Sequence, residues 1–256
     1  MTRDERQAAL EVIGAEVRAC TRCRLHETRT QAVPGEGDPD TEVVFVGEGP
    51  GLNEDREGRP FVGRAGGLLV RLLASIGWRR DDVFITNVVK CRPPDNRDPQ
   101  PDEIAACAPY LRAQLRVLDP AVVVTLGRFS MQAFIPGARI GQVHGTTHPV
   151  DPGTGAANAL AFAMYHPAAA LRSSGVEQSS FEDVSRVPSV LRAARKLRDR
   201  PATPAEPAAR AQRPPETPAP AALPGTTAAV AGGPIPTSHV AQADPAPDDA
   251  AQLTLF

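Results

Sequence analysis

The chain has 256 residues, of which 41% are hydrophobic and 23% charged, a composition typical of a soluble globular core. Its 28 Lys and Arg against 30 Asp and Glu give a net charge of −2, which excludes a globally basic nucleic-acid binder but not a local basic patch. Neither a membrane helix nor an apolar secretory segment is found in the sequence, so we expect a cytoplasmic protein without membrane contacts.

The first 200 residues alternate helical patterns with short apolar runs that are typical of buried strands. In chain order we predict a helix over 4–19, a strand over 42–47, a helix over 66–76, a strand over 82–89, a helix over 101–117, a strand over 119–127, a helix over 128–134, a strand over 158–166 and a helix over 180–198. Strands separated by helices indicate a parallel sheet covered on both faces, with ligand sites at the carboxyl ends of the strands.

Beyond residue 200 the composition changes. Of the 56 residues from Pro201 to Phe256, 12 are Pro and 16 are Ala, and no aromatic residue precedes Phe256. Such a segment cannot bury enough apolar surface to offset its chain entropy, so we predict that it is disordered. The predicted organisation is a folded domain over 1–200, an Ala/Pro-rich linker over 201–251 and a short motif over 252–256.

The four cysteines of the chain are candidates for a single metal site. They comprise a C-x2-C pair, a loop residue and a helix residue, namely Cys20, Cys23, Cys91 and Cys107. In a reducing compartment, cysteines more often indicate metal binding or catalysis than disulfides. The spacing favours neither zinc nor an iron–sulfur cluster over the other, and four unrelated buried thiols are a third interpretation.

Polar and aromatic side chains fall at or near the predicted strand ends. GEGPG over 47–51 follows the first strand and places Glu48 among glycines that allow close backbone approach. Phe61 stands in a Gly/Pro-rich loop, where it can stack on a flat ligand. Asn87 ends the second strand with an amide that both donates and accepts hydrogen bonds, and His166 ends the fourth. Taken singly, each also has an ordinary structural explanation, such as a turn or a core contact.

Four segments, taken in order, resemble one family: GEGPG, GRPFVGRAG, TNVVKCRPPDNRDP and HPAAALR. With the four-cysteine pattern they resemble the family 4 uracil-DNA glycosylases, the iron–sulfur branch of the uracil-DNA glycosylase superfamily, over roughly residues 20–198. The resemblance implies an α/β three-layer sandwich with a central four-stranded parallel sheet. It also implies a [4Fe–4S] cluster on the four cysteines and hydrolysis of the N-glycosidic bond of uracil in DNA, the first step of base excision repair.

The resemblance assigns roles around a flipped-out uracil. Phe61 would stack on the base, Asn87 would hydrogen-bond its O4/N3 edge, and backbone groups of Gly49 and Pro50 would add contacts. The cluster would join the N-terminal helix to the loop that carries Cys91, ordering Arg92 and Arg97 near DNA phosphates.

Candidate catalytic and DNA-contacting residues follow from the chemistry that this reaction requires and from their positions in the sequence. His166 would donate a hydrogen bond to uracil O2 as negative charge develops there, and Glu48 would orient the attacking water. His144 is a second candidate for catalysis. Leu171 and Arg172 are expected to fill the gap in the base stack and to contact a phosphate.

Other functions are compatible with parts of this pattern. One is a non-catalytic protein that binds uracil in DNA, and another is covalent capture, which a neighbouring branch performs through a His in an inserted basic loop. The corresponding stretch here, 91–99, has no His and no insertion, which favours hydrolysis with release. A zinc protein of nucleotide metabolism is a further alternative.

The sequence ends in QLTLF, which resembles the pentapeptide that binds the bacterial sliding clamp. Its anchors would be Gln252, Leu253, Leu255 and Phe256. A flexible linker of about 50 residues has a root-mean-square span of roughly 40 Å, which would let the folded domain search DNA near the clamp. We therefore expect uracil-containing DNA and a sliding clamp as partners of a monomeric protein.

Overall fold

A computed structural model of the protein describes residues 1–199, so the predictions for the linker and for Gln252–Phe256 lie outside the described residues. The helices are α1 (Arg3–Ala19), α2 (Leu52–Glu57), α3 (Arg64–Ser75), α4 (Pro101–Leu118), α5 (Arg128–Phe134), α6 (Ile140–Val143), α7 (Pro167–Ala170) and α8 (Ser174–Arg198). The strands are β1 (Glu36–Gly37), β2 (Val43–Gly47), β3 (Phe84–Asn87), β4 (Val122–Leu126), β5 (Thr147–Pro149) and β6 (Leu160–Met164).

The strands form one sheet in the order β1-β3-β2-β4-β6-β5. The four central strands, β3, β2, β4 and β6, pair in parallel, which confirms the predicted central sheet. The edge strands β1 and β5 pair antiparallel and were not predicted, because two or three residues are too few to show an alternating pattern. The chain places β3 on one side of β2 and β4 on the other side. The direction in which strands are added therefore reverses at β2, and ligands commonly bind at such a topological switch point.

Helices cover both faces of the sheet, as predicted for a three-layer sandwich. Along β2, Val44 and Val46 face a core shared with α1, α4 and α5, whereas Val43 and Phe45 face a core shared with α3, α7 and α8. This alternation of side chains between two apolar layers is the reason that the strands are apolar throughout. None of the helices within residues 1–199 is long and apolar enough to span a membrane.

Helix starts follow local capping. Thr2 caps α1 in a reciprocal pair with Glu5, and Pro101 occupies the first turn of α4. The last helix begins at residue 174 rather than at the predicted 180, because the Ser173 hydroxyl caps its N-terminus. The Gly-rich loop after β2 leads at once into α2, a helix that was not predicted.

Candidate active site

A cavity of about 420 Å³ opens at the carboxyl ends of the parallel strands. It gathers groups from the loops after β2, β3 and β6, which are far apart in the sequence. Of the eleven residues predicted to bind the base, catalyse or lie near DNA, Arg92 and His144 do not line it and the other nine do: Glu48, Gly49, Pro50, Phe61, Asn87, Arg97, His166, Leu171 and Arg172.

Asn87 lines this cavity and carries a buried acceptor. It is the last residue of β3, pairs with Gly47 in the sheet and is 1% exposed. Its Oδ1 is buried and has no hydrogen-bond partner within the described residues. A Cβ on Gly47 would lie 2.4 Å from that oxygen, so glycine is needed to leave it room. Because an unpaired buried polar group costs about 1–3 kcal/mol, the arrangement favours a ligand that donates here.

The ring of Phe61 is held in the cavity by a strained backbone. Its φ is 52°, a left-handed value that is unfavourable for a bulky residue. The Phe61 carbonyl accepts a hydrogen bond from Arg80 Nη1 at 3.0 Å, which holds that backbone in place. A Cβ on Gly66 would lie 1.9 Å from the same carbonyl oxygen, so α3 can approach only because glycine is there. The Phe61 ring centroid lies 5.8 Å from that of His166.

His166 lies two residues beyond the end of β6, not within the strand as predicted, and caps α7. Its Nδ1 accepts a hydrogen bond from the Ala168 N–H at 3.1 Å, so a neutral ring carries its proton on Nε2. Burial lowers the pKa of His166 to about 4, with Glu54 opposing and Arg172 reinforcing this shift. At neutral pH the side chain is therefore a neutral Nε2–H donor.

Glu48 follows β2 and is half-buried on the cavity wall. Burial raises the pKa of its carboxyl to about 7, the charge of Asp98 raises it further, and Arg128 opposes the shift. Asp98 and Arg128 themselves form an ion pair. A carboxyl with this pKa exchanges its proton near neutral pH, which suits a general base.

Glu54 is a further residue of the cavity that the sequence-based reasoning missed. Its Oε1 accepts from the N–H groups of Val62 at 3.0 Å and Gly63 at 2.9 Å, and its Oε2 accepts from that of Gly51 at 3.1 Å. One carboxylate thereby closes the loop that carries Phe61. The sequence does contain one signal for this role. Glu54 stands three residues after a possible helix cap at Gly51, which is the spacing of a capping box.

The cysteines are all free thiols and come from separate parts of the chain. Cys20 ends α1 and Cys23 precedes a short turn, whereas Cys91 lies in the loop after β3 and Cys107 on α4. Within residues 1–199, no three His, Cys, Asp or Glu side chains are grouped so that they could hold a single metal ion.

Two of the thiols receive hydrogen bonds in the interior. Arg29 Nη1 lies 3.0 Å from Cys91 Sγ, and the Lys90 N–H donates to Cys107 Sγ at 3.2 Å. Burial raises the pKa of Cys107 to about 11, Lys90 opposes this shift through its charge and its N–H, and the charges of Cys91 and Cys23 reinforce it. The thiols therefore affect one another electrostatically.

Two expectations from the sequence fit the structure less well. His144 does not line the cavity, and its Nδ1 lies 2.8 Å from Asp183 Oδ2. Arg97 lines the cavity, but its guanidinium donates at 2.9 and 2.7 Å to the buried carboxylate of Glu103. Its charge is therefore already paired, which weakens its expected role at a DNA phosphate.

The fold and the cavity define an α/β protein with a site for a flat polar ligand at the carboxyl ends of its parallel strands. Residues 34–186 match the family described as the uracil DNA glycosylase superfamily.

Curated relatives extend the match over most of the domain. The chain is 47% identical over 185 residues to a type-4 uracil-DNA glycosylase of Sulfurisphaera tokodaii, covering 70% of this chain and 83% of that protein. It is 43% identical over 189 residues to that of Thermotoga maritima, covering 73% and 97%. It is 48% identical over 168 residues to that of Archaeoglobus fulgidus, covering 64% and 83%. The chain therefore belongs to the type-4 branch of the uracil-DNA glycosylase superfamily.

Proposed function

We propose that this protein is a DNA-repair glycosylase that hydrolyses the N-glycosidic bond of flipped-out uracil and leaves an abasic site. The observation that carries the proposal is the buried, unpaired Oδ1 of Asn87 in a cavity that also holds the Nε2–H of His166. The names of the type-4 relatives support the same substrate.

Recognition of uracil follows from the donor and acceptor pattern of its edge. Uracil N3–H is a donor that matches the Asn87 Oδ1, and uracil O4 is an acceptor that matches the Asn87 amide NH₂. Cytosine has an acceptor where uracil has this donor, and a donor where uracil has this acceptor. Its binding would therefore leave buried groups unpaired, at a cost of about 1–3 kcal/mol each. The face of Phe61 provides the stacking surface for the extruded base.

Bond cleavage leaves negative charge on the departing uracil and positive charge on the sugar. The Nε2–H of His166 would stabilise the charge on uracil O2, a contribution of about 3–4 kcal/mol for one well-placed donor. The Glu48 carboxylate would orient the attacking water and offset the charge on the sugar. Leu171 and Arg172, on the rim of the cavity, would fill the vacated position in the stack and contact a phosphate.

The four cysteines would hold a [4Fe–4S] cluster, and the donor set fits this group. All four side chains are free thiols, and four thiolates are the ligands that a [4Fe–4S] cluster takes. When bound, it supplies a cross-link among α1, the loop after β3 and α4 rather than a reaction step. Free thiols and such a cluster require a reducing environment, which supports a cytoplasmic location.

A direct assay separates this activity from uracil binding without catalysis. A single-stranded oligonucleotide with one uracil is incubated with the protein and then treated with alkali, which breaks the strand at abasic sites. We expect cleavage at the uracil position and none in an oligonucleotide with cytosine there. An intact oligonucleotide in a stable complex with the protein would instead indicate a binding protein or covalent capture.

We further propose that Gln252–Phe256 docks on a bacterial sliding clamp and that the Ala/Pro-rich linker tethers the catalytic domain there. The support is the sequence QLTLF itself and the length of the linker. Deletion of the five residues should abolish co-elution with purified clamp and leave uracil excision from a free oligonucleotide intact. Unchanged co-elution of the truncated protein would refute the proposal.

A further inference from the structure

Lys90 is a buried polar side chain that the proposed reaction does not use. It is 1% exposed, and its Nζ donates to three oxygens: the Thr86 hydroxyl, the Asn87 carbonyl at 2.8 Å and Gln114 Oε1 at 2.7 Å. These three oxygens equal in number the donors that an ammonium carries. None of the three acceptors is a carboxylate, so this costly burial is not explained by an ion pair.

The backbone of Lys90 connects the cysteines to the sheet. Its N–H donates to Cys107 Sγ at 3.2 Å, its carbonyl accepts from Val33 at 2.8 Å, and the next residue is Cys91. The side chain turns back towards Asn87, three positions earlier. Lys90 therefore links two of the cysteines with the residue whose amide faces the cavity.

We propose that Lys90, Thr86 and Gln114 form a positioning network that fixes the Asn87 backbone, and thereby aims its amide at uracil. The inference rests on the proposed function. Asn87 Oδ1 has no hydrogen-bond partner among residues 1–199 to orient it, so the position of the amide depends on the backbone that carries it. A displacement of about 1 Å at a reacting or recognising group can cost on the order of 100-fold in rate.

The sheet offers a matched pair of threonines for testing the network. Thr86 on β3 and Thr125 on β4 both pair with Val46, one on each side of β2, and both are buried. The Thr86 hydroxyl accepts from Lys90 and donates to the Pro34 carbonyl at 2.8 Å. The Thr125 hydroxyl has no partner within the described residues. Thr86→Val removes a member of the network, and Thr125→Val makes the same chemical change outside it.

The experiment measures single-turnover uracil release, inhibition by free uracil, affinity for an oligonucleotide with an abasic site, and iron per polypeptide. For Thr86→Val we expect release to slow about 10- to 100-fold and the inhibition constant for uracil to rise in parallel. Abasic-site affinity and iron content should stay at the wild-type level. Thr125→Val should match the wild type in all four measurements, and Lys90→Met provides a second disruption of the network if it folds.

A double substitution distinguishes positioning from general loss of stability. In an Asn87→Ala background, Thr86→Val should cause no further loss of rate, because the amide that it positions is gone. The inference is wrong if the Thr86→Val loss is undiminished in that background, or if Thr86→Val and Thr125→Val behave alike. A wild-type protein that releases no uracil would refute the proposed function itself, a result distinct from either of these.

Discussion

Two residues of the cavity have pKa shifts in opposite directions, and burial is the main cause of both. The pKa of His166 falls to about 4 and that of Glu48 rises to about 7. In each case burial favours the neutral form, which for His166 is the donor and for Glu48 the protonated acid. Near pH 7 the cavity can therefore hold a neutral imidazole beside a carboxylate, the combination that the proposed reaction needs.

The pH dependence of the rate of uracil release should reflect the titration of Glu48 and not that of His166. The rate of uracil release should rise as the pH increases through about 7, because only the deprotonated Glu48 can orient water. His166 is already neutral throughout this range, so its titration should not contribute. Single-turnover rates between pH 5 and 9 test this, with Glu48→Gln as the comparison. The assignment of Glu48 fails if the inflection near pH 7 persists in Glu48→Gln.

Removing the donor of His166 should affect catalysis more than binding. We expect His166→Ala to slow uracil release by about 100- to 1,000-fold, which corresponds to about 3–4 kcal/mol. Affinity for the oligonucleotide should fall much less, since the donor acts on charge that develops during cleavage. Equal losses of rate and affinity would indicate that His166 acts in binding instead.

At the scale of elements, the sequence was sufficient to predict the central strands, but not the side-chain contacts that hold the loops in place. Strands β2, β3, β4 and β6 follow from continuous apolar runs, and their ends locate Asn87 and Glu48. The roles of Glu54 and Lys90 depend on backbone groups brought close by folding, and a sequence pattern contains no such distances. The positive φ of Phe61 was likewise unforeseen, because it results from packing against α3 and Arg80.

Adjacent glycines on α3 test how the Phe61 loop is supported. A Cβ on Gly66 would clash with the Phe61 carbonyl, whereas one on Gly67 would meet nothing within 4 Å. Gly66→Ala should destabilise the fold by about 1–3 kcal/mol and slow uracil release. Gly67→Ala should stabilise it by about 0.5–1 kcal/mol, because alanine favours the helix. Urea unfolding and single-turnover rates would contradict this account if the two variants behaved alike.

At the scale of the whole molecule, the proposed cluster would connect, through the four cysteines, parts of the chain that no single strand or helix joins. Cys20→Ala should remove the brown colour of an iron–sulfur protein, lower the melting temperature and reduce uracil release. Thr21→Ala, an exposed neighbour between the two cysteines of the C-x2-C pair, should retain all three. Absorbance, iron content and thermal unfolding measure these effects. Normal colour, stability and activity in Cys20→Ala would refute the structural role of the cluster.

The most direct test of the central claim is the single-turnover rate of base release from matched oligonucleotides with uracil or cytosine, by the wild type and by Asn87→Asp. We expect the wild type to release uracil and not cytosine. Asn87→Asp should release uracil at least about tenfold more slowly, because a carboxylate keeps the acceptor for N3–H but loses the donor for O4. Unchanged uracil release by Asn87→Asp would contradict the account and place base recognition outside this cavity.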